Sequence, residues 1–433
     1  MNYILLSGGS GQRLWPLSNE IRSKQFLKLF KNNHEFESMI QRVYRQIKDV
    51  DPNAKITIAT SSSQEGAIKN QLGDTVSLCL EPCRKDTFPA IALSVAYLYD
   101  KLGVDKNETV VVCPVDPYVD DSYFDTIKSL DGLVQNGNAN LSLMGIEPSC
   151  PSEKYGYIIP ENGEKVSKVR EFKEKPDEQT AREYLRKNAL WNAGIFAFKL
   201  SYLLDKAHKM IDFKDYYDLL NKYDNLTKIS FDYAVVEHES SIQVLRYNGL
   251  WKDVGTWDML AEVMEENIKG NVTKDESCKS ITVVNELDIP VLCIGCKDLV
   301  VVSSPDGILV ANKEQSNCIK PYVEKVELRP MYADEAWGTY KVINVQPGSI
   351  TTKISIKAKK SISYHIDKNS EETWIVLGGQ GKAIVDGREQ FLVPGYVIVF
   401  KAGSEYTIET KSTLNVIVTK FLDCIDSRDE VNY

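Results

Sequence analysis

From residue 1 to about 265, apolar positions alternate between two spacings. Short continuous runs, such as Tyr3 to Leu6 and TVVVCPVD (109–116), read as buried strands, and the second ends on an aspartate. Between such runs the spacing is helical. In FESMIQRVYRQI (36–47), Phe36, Met39, Ile40, Val43 and Ile47 share one helical face. AIALSVAYLYDKL (90–102) predicts a helix with its capping region at Asp86-Thr87. A further helical stretch spans 202–223, and NAGIFAFKL (192–200) reads as a strand. This alternation predicts an α/β sheet with parallel strands.

From about 272 the helical spacing disappears. SITVV, VLCIG, LVVV and ILVA are short β runs joined by turn-like CKD and SSPDG, as in a small all-β module coiled as a short β-helix. From about 340 to 421, KISIKA, TWIVLGGQGKAIVDG and YVIVF alternate with glycine-rich turns, which predicts a double-sheet barrel or jelly roll. The expected organisation is an α/β domain over 1–265, a β module over 266–328 and a β-barrel over 329–433.

Composition sharpens this picture only in places. At 433 residues the chain exceeds one compact core, so several domains are expected. Its 52 Lys and Arg against 61 Asp and Glu give a net charge of −9 with no basic block. That argues against a nucleic-acid polymer or an anionic membrane surface as partner, while a local basic pocket remains allowed. No apolar run approaches the ~18 residues that span a bilayer, and no secretory signal is expected at the N-terminus. Nine cysteines sit at irregular spacings. The CxxC of Cys293 and Cys296 lies in an alternating apolar stretch and reads as buried strand cysteines rather than a zinc or redox site. The expected setting is a reducing cytoplasm.

The candidate chemistry begins where the first strand runs into Ser7-Gly8-Gly9-Ser10-Gly11, then Gln12-Arg13. A glycine loop after a strand exposes backbone N–H groups to which phosphate oxygens can come close. Arg13 adds a fork of donors for the same anion and Lys24 a point charge. Taken alone, the loop reads equally as a tight turn beside a surface arginine. Asp116, at the end of a buried strand, reads alone as a cap or turn residue as readily as a ligand.

The full stretch SGGSGQRLWPLS (7–18), followed by KQFL (24–27), resembles the signature of sugar-1-phosphate nucleotidyltransferases, in particular the mannose-1-phosphate guanylyltransferases. Further matches follow in family order: EPCRKDTFPA (81–90), CPVD (113–116), YGY (155–157), FKEKP (172–176), WNAGIF (191–196) and WKDVGTW (251–257). Lys85 and Asp86 stand where Arg and Asn are commoner. SFDY (230–233) with Glu237 matches another family segment, although a capped helix start explains it equally well.

The resemblance implies a Rossmann-like, GT-A-like mixed sheet followed by a β-helix-like module and a cupin-type barrel. It implies nucleotide contacts from Leu6, Gly8, Gly9, Ser10, Gly11, Arg13, Glu81, Asp86 and Thr87. Sugar contacts would come from Tyr155, Gly156, Glu174, Lys175, Asn192 and Gly194, and Mg²⁺ ligands from Asp116 and Asp253. Arg13, Lys24 and Lys175 would be the catalytic cations. The implied reaction joins GTP and a hexose 1-phosphate, mannose 1-phosphate in the family, into a GDP-sugar and pyrophosphate. A homodimer is the assembly that relatives suggest.

The barrel departs from bifunctional relatives, whose metal-binding segment has the form Q-x-H-x-x-R-x-E-H-W. Here the stretch is HIDKNSEETW (365–374), and Tyr406 stands where a last histidine would. Glu372 and Trp374 match; His365, Asp367 and Glu372 are the residues left to hold a metal. Isomerase activity is therefore not expected. The alternatives are a bifunctional enzyme with a rebuilt isomerase site, or a regulatory protein that binds a nucleotide sugar. The latter would be expected to lack Arg13, Lys24, Asp116 or Asp253, and all four are present.

Overall fold

The structure of the protein, a computed structural model, describes residues 1–422 other than Ser10, Gly11, Glu20, Glu327, Leu328 and Asp367. Ser10, Gly11 and Asp367, singled out above, thus lie outside the described residues. The chain divides into two compact units. The first comprises Met1–Gly9, Lys28–Glu65 and Asp74–Val254; the second comprises Ser10–Leu27, Gly66–Gly73 and Gly255–Tyr433.

Among its described residues the first unit is built on a nine-stranded sheet. Its strands are β1 (Asn2–Leu6), β2 (Lys55–Ser61), β3 (Ser77–Glu81), β4 (Thr109–Pro114), β5 (Leu141–Ile146), β6 (Tyr157–Pro160), β7 (Val166–Lys173), β8 (Leu190–Lys199) and β9 (Ile242–Tyr247), in the order β3-β2-β1-β4-β8-β5-β9-β7-β6. The β3-β2-β1-β4 half is parallel. Beyond it β8 runs antiparallel to both β4 and β5, which makes the sheet mixed as the resemblance implied. Leu6 pairs with Pro114, so the segments that follow β1 and β4 leave the sheet side by side. Open α/β sheets place their ligands at such strand ends.

Helix α1 (Met39–Val50) begins later than the apolar spacing suggests. Ser38 and Gln41 form a capping box that fixes the start, and Phe36 lies in a short hairpin strand instead. Helix α2 (Thr87–Asp100) is apolar almost all round because it is covered on two sides. Ile91, Val95 and Leu98 join the core over β1 and β4; Ala92, Leu93 and Ala96 meet Tyr216, Leu219 and Tyr223. Helix α3 (Ser122–Gln135) precedes β5. The stretch 202–223 is two helices rather than one, α4 (Leu200–Met210) and α5 (Tyr216–Lys222). Asp215 caps α5 by accepting from the Asp218 N–H, which starts a new helix there.

In the second unit, Ile268–Lys269, Thr282–Asn285 and Leu299–Ser304 stack in parallel, as do Val272–Lys274 and Val291–Cys293. Successive parallel ladders of this kind make the short β-coil expected from the sequence. Cys293 is a buried strand residue, while Cys296 lies beyond the strand end and is half-buried. Strands between Tyr332 and Leu422 form antiparallel sheets of six and four strands that close over one apolar core. No helix among the described residues is long and apolar enough to cross a membrane.

Candidate active site

The sequence delivers Asp116 and Asp253 to one place through a small ribbon. Pro117–Val119 pairs antiparallel with Trp251–Asp253, and Asp253 stands opposite Pro117, the neighbour of Asp116. Both carboxylates line a cavity of about 240 Å³ in the first unit, shared with Tyr155, Gly156, Glu174, Asn192, Gly194 and Asp232.

The opposite wall depends on an irregularity in β8. Its register against β5 shifts between Asn192 and Phe196, so Ala193 and Gly194 bulge out of the ladder toward the cavity. Gly194 has φ +71°, which favours glycine at the bulge. The Asn192 amide is oriented by two partners: Nδ2 donates to Asp232 Oδ1 at 2.7 Å, and Oδ1 accepts from the Gly194 N–H at 3.1 Å. One amide N–H and one lone pair remain for a ligand hydroxyl.

Glu174 is buried, accepts from Lys175 Nζ at 2.6 Å, and has its own N–H bound by Glu237 Oε1 at 3.1 Å. A Cβ at Gly156 would stand 2.5 Å from Glu174 Oε2, so only glycine admits the carboxylate there. Burial pushes the Asp232 carboxyl up to about 7, and the Glu174 charge adds to this against the opposing Lys175 and Asn192. Burial works against the Lys175 ammonium, but its bond to Glu174 prevails and holds its pKa above the usual range. Burial and the Asp253 carboxylate push the Tyr155 phenol up to about 12. Tyr155 also packs against Trp191 and Trp251, with ring centroids 4.7 and 5.4 Å away.

The expected nucleotide residues that the structure describes lie outside this cavity lining. Gly8 and Gly9 follow β1 exposed, with nothing within 4 Å of where a Cβ would sit. Glu81 ends β3 and accepts from the Tyr223 hydroxyl at 2.5 Å. Asp86 caps α2 by accepting from the Thr87 N–H at 2.8 Å, and Thr87 Oγ1 accepts from the Phe231 N–H at 2.7 Å. Arg13 and Lys24 sit on the single turns Gln12–Leu14 and Lys24–Phe26, both in the second unit. Asp232 is the cavity residue least visible in the sequence, because Ser230 caps the same helical turn by accepting from the Tyr233 N–H. Its position two residues after that cap, in a segment matching the family, was the available signal.

Two half-buried carboxylates suit a hard divalent ion, which takes oxygen ligands and usually keeps substrate phosphates and waters in its shell. No group of three or more His, Cys, Asp or Glu side chains among the described residues is arranged to hold a metal. In the barrel, Glu372 is buried and accepts from Trp374 Nε1 at 2.9 Å and the Tyr406 hydroxyl at 3.4 Å. Tyr406 stacks 4.2 Å from Phe400, filling the interior. His365 faces outward beside Glu405 on the other side of its strand, so it and Glu372 do not converge.

The chain is 28% identical to a mannose-1-phosphate guanylyltransferase of Klebsiella pneumoniae, over 94% of this chain and 92% of that protein. It is 29% identical to the xanthan biosynthesis protein XanB of Xanthomonas campestris, over 90% and 88%. A crystal structure described as a mannose-1-phosphate geranyltransferase from Thermus thermophilus superposes with a TM-score of 0.62 at 29% identity, over 75% of this chain and 98% of that one. A family model described as nucleotidyl transferase matches residues 2–270, more than half of the chain. Its mixed sheet, its cavity at the strand ends and this match together make the chain a member of the nucleotidyl transferase family of enzymes.

Proposed function

We propose that the enzyme makes GDP-mannose and pyrophosphate from GTP and mannose 1-phosphate. The observation that carries this reading is the convergence of Asp116, Asp253, Glu174 and Asn192 on one cavity. The similarity to a mannose-1-phosphate guanylyltransferase over 94% of the chain supports the choice of substrates.

In the reaction an oxygen of the sugar phosphate attacks the α-phosphorus of GTP in line. The new P–O bond forms as the bond to the β-phosphate breaks, and pyrophosphate leaves with the electron pair. A phosphate monoester is already an anionic nucleophile near neutral pH, so no general base is needed. The barrier is set by repulsion between polyanions and by alignment. Asp116 and Asp253 would hold Mg²⁺, which when bound supplies neutralising charge to the phosphates. Arg13 and Lys24 bind the triphosphate, and Lys175 binds the sugar phosphate. Glu174, Asn192 and Asp232 read the sugar hydroxyls, and the Tyr155 and Trp251 rings exclude water from that side.

The barrel has no isomerase role in this reading, since Tyr406 fills its interior and His365 points away from Glu372. A reducing cytoplasm is the proposed compartment. The test is a pyrophosphate-release screen of four nucleoside triphosphates against several sugar 1-phosphates. Fastest turnover with GTP and mannose 1-phosphate is expected; preference for another pair would overturn the substrate assignment.

A further inference from the structure

The loop that begins at Gly8 does not stay with the strand that delivers it. Residues Ser10–Leu27, including Arg13 and Lys24, belong to the unit built from the β-coil and barrel. Several contacts within that unit hold them. Arg22 makes a two-pronged ion pair with Glu286, with N–O distances of 2.6 and 3.0 Å, and lies 4.9 Å over the Tyr332 ring. Asn19 Oδ1 closes its own turn by accepting from the N–H groups of Ile21 and Arg22, which aims Nδ2 at Asp306 Oδ2, 2.6 Å away. The Ser304 hydroxyl donates to the Pro16 carbonyl at 2.6 Å, and Trp257 Nε1 donates to the Trp15 carbonyl at 3.0 Å. Gly307 leaves room for the Trp15 ring; a Cβ there would stand 2.5 Å from it.

These contacts resist gradual loosening. A half-buried guanidinium that leaves its carboxylate gives up two charge-assisted hydrogen bonds together, so the pair is costly to break. The loop carbonyls likewise have named donors waiting for them. We propose that Glu286, Asp306 and Gly307 are positioning residues for nucleotidyl transfer, seating the loop that presents Arg13 and Lys24. Glu286, Asp306 and Gly307 thereby act on nucleotide use only through the loop they hold. This rests on the reading above that Arg13 and Lys24 hold the triphosphate.

The test compares full-length Gly307→Ala, Glu286→Gln and Arg13→Ala with the wild type. Initial rates are measured against GTP at saturating mannose 1-phosphate and the reverse, with circular dichroism and thermal unfolding as fold controls. Gly307→Ala and Glu286→Gln are expected to raise the KM for GTP about tenfold or more, with the KM for mannose 1-phosphate within about twofold. If Glu286→Gln fails to fold, Gly307→Ala, which leaves every charge in place, decides the matter. Lower melting with no selective change in GTP use would mean a structural role only and would overturn the proposal. Normal kinetics in both seat variants beside an impaired Arg13→Ala would also overturn it, leaving the nucleotide role of the loop intact. An unimpaired Arg13→Ala would instead remove the reading of Arg13 on which the proposal stands.

Discussion

Replacing Asp232 with asparagine separates burial from simple loss of a contact. The carboxyl accepts from Asn192 Nδ2 at 2.7 Å, and an asparagine oxygen keeps that acceptor in place. What the variant loses is a charge that burial and Glu174 both oppose, which lifts the pKa from the ordinary 3.8 to about 7. The unfolded chain releases this proton near pH 4 and the folded one only near 7. Between those values the folded state holds the extra proton, so this group costs more stability as pH rises and the cost levels off above 7. Three pH units correspond to about 4 kcal/mol, reduced to about 2–4 kcal/mol by solvent that reaches the cavity. The favourable Asn192 hydrogen bond to the charged form is already contained in that shift. Asp232→Asn should therefore match the wild type below about pH 4 and exceed it by about 2–4 kcal/mol at pH 8. Urea unfolding of both proteins at four pH values reads this directly. A difference that stays flat with pH, or that shrinks as pH rises, would refute the argument.

Other expectations concern the reaction and the barrel. Asp253→Ala should reduce pyrophosphate release by about a thousandfold or more with an unchanged circular dichroism spectrum. Normal turnover would remove Asp253 from the metal assignment. Lys175→Ala should raise the KM for mannose 1-phosphate about tenfold to a hundredfold, the worth of one charged hydrogen bond, and leave the KM for GTP alone; steady-state kinetics separate the two. Trp374→Ala, which empties the centre of the barrel, should cost about 3–5 kcal/mol in urea unfolding. Fructose 6-phosphate should not be turned over by the wild type, and stoichiometric bound metal together with such turnover would contradict the account of the barrel.

Local chemistry was legible in the sequence wherever a residue answers to its near neighbours. The buried run at 109–116 yields β4, which ends at Pro114 two residues before Asp116, and Asp86 caps α2 as its position suggests. Phe36 misled because its apolar spacing continues into α1, whereas the Ser38–Gln41 capping box starts the helix after it. On a continued helix Tyr216 and Leu219 would face away from Leu200, Leu203, Leu204 and Ala207, so the change of apolar phase was a readable sign of the break between α4 and α5. The Tyr216 N–H that opens α5 is bound by Asp100, far away in sequence. Asp232 was masked by a capping serine two residues earlier that explains the same local pattern. Least legible was the company kept by Arg13 and Lys24. Their loop is held by partners such as Glu286, 264 residues from Arg22, and no local spacing reports a contact of that range.

The aromatic corner at the cavity also makes the protein its own optical reporter. Trp191 and Trp251 lie 6.4 Å apart with Tyr155 against both, and Trp251 and Tyr155 line the cavity. A sugar phosphate entering there changes the polarity around the Trp251 indole. Its emission should shift in colour and intensity as the ligand is titrated, so occupancy can be followed without turnover, label or coupled reaction.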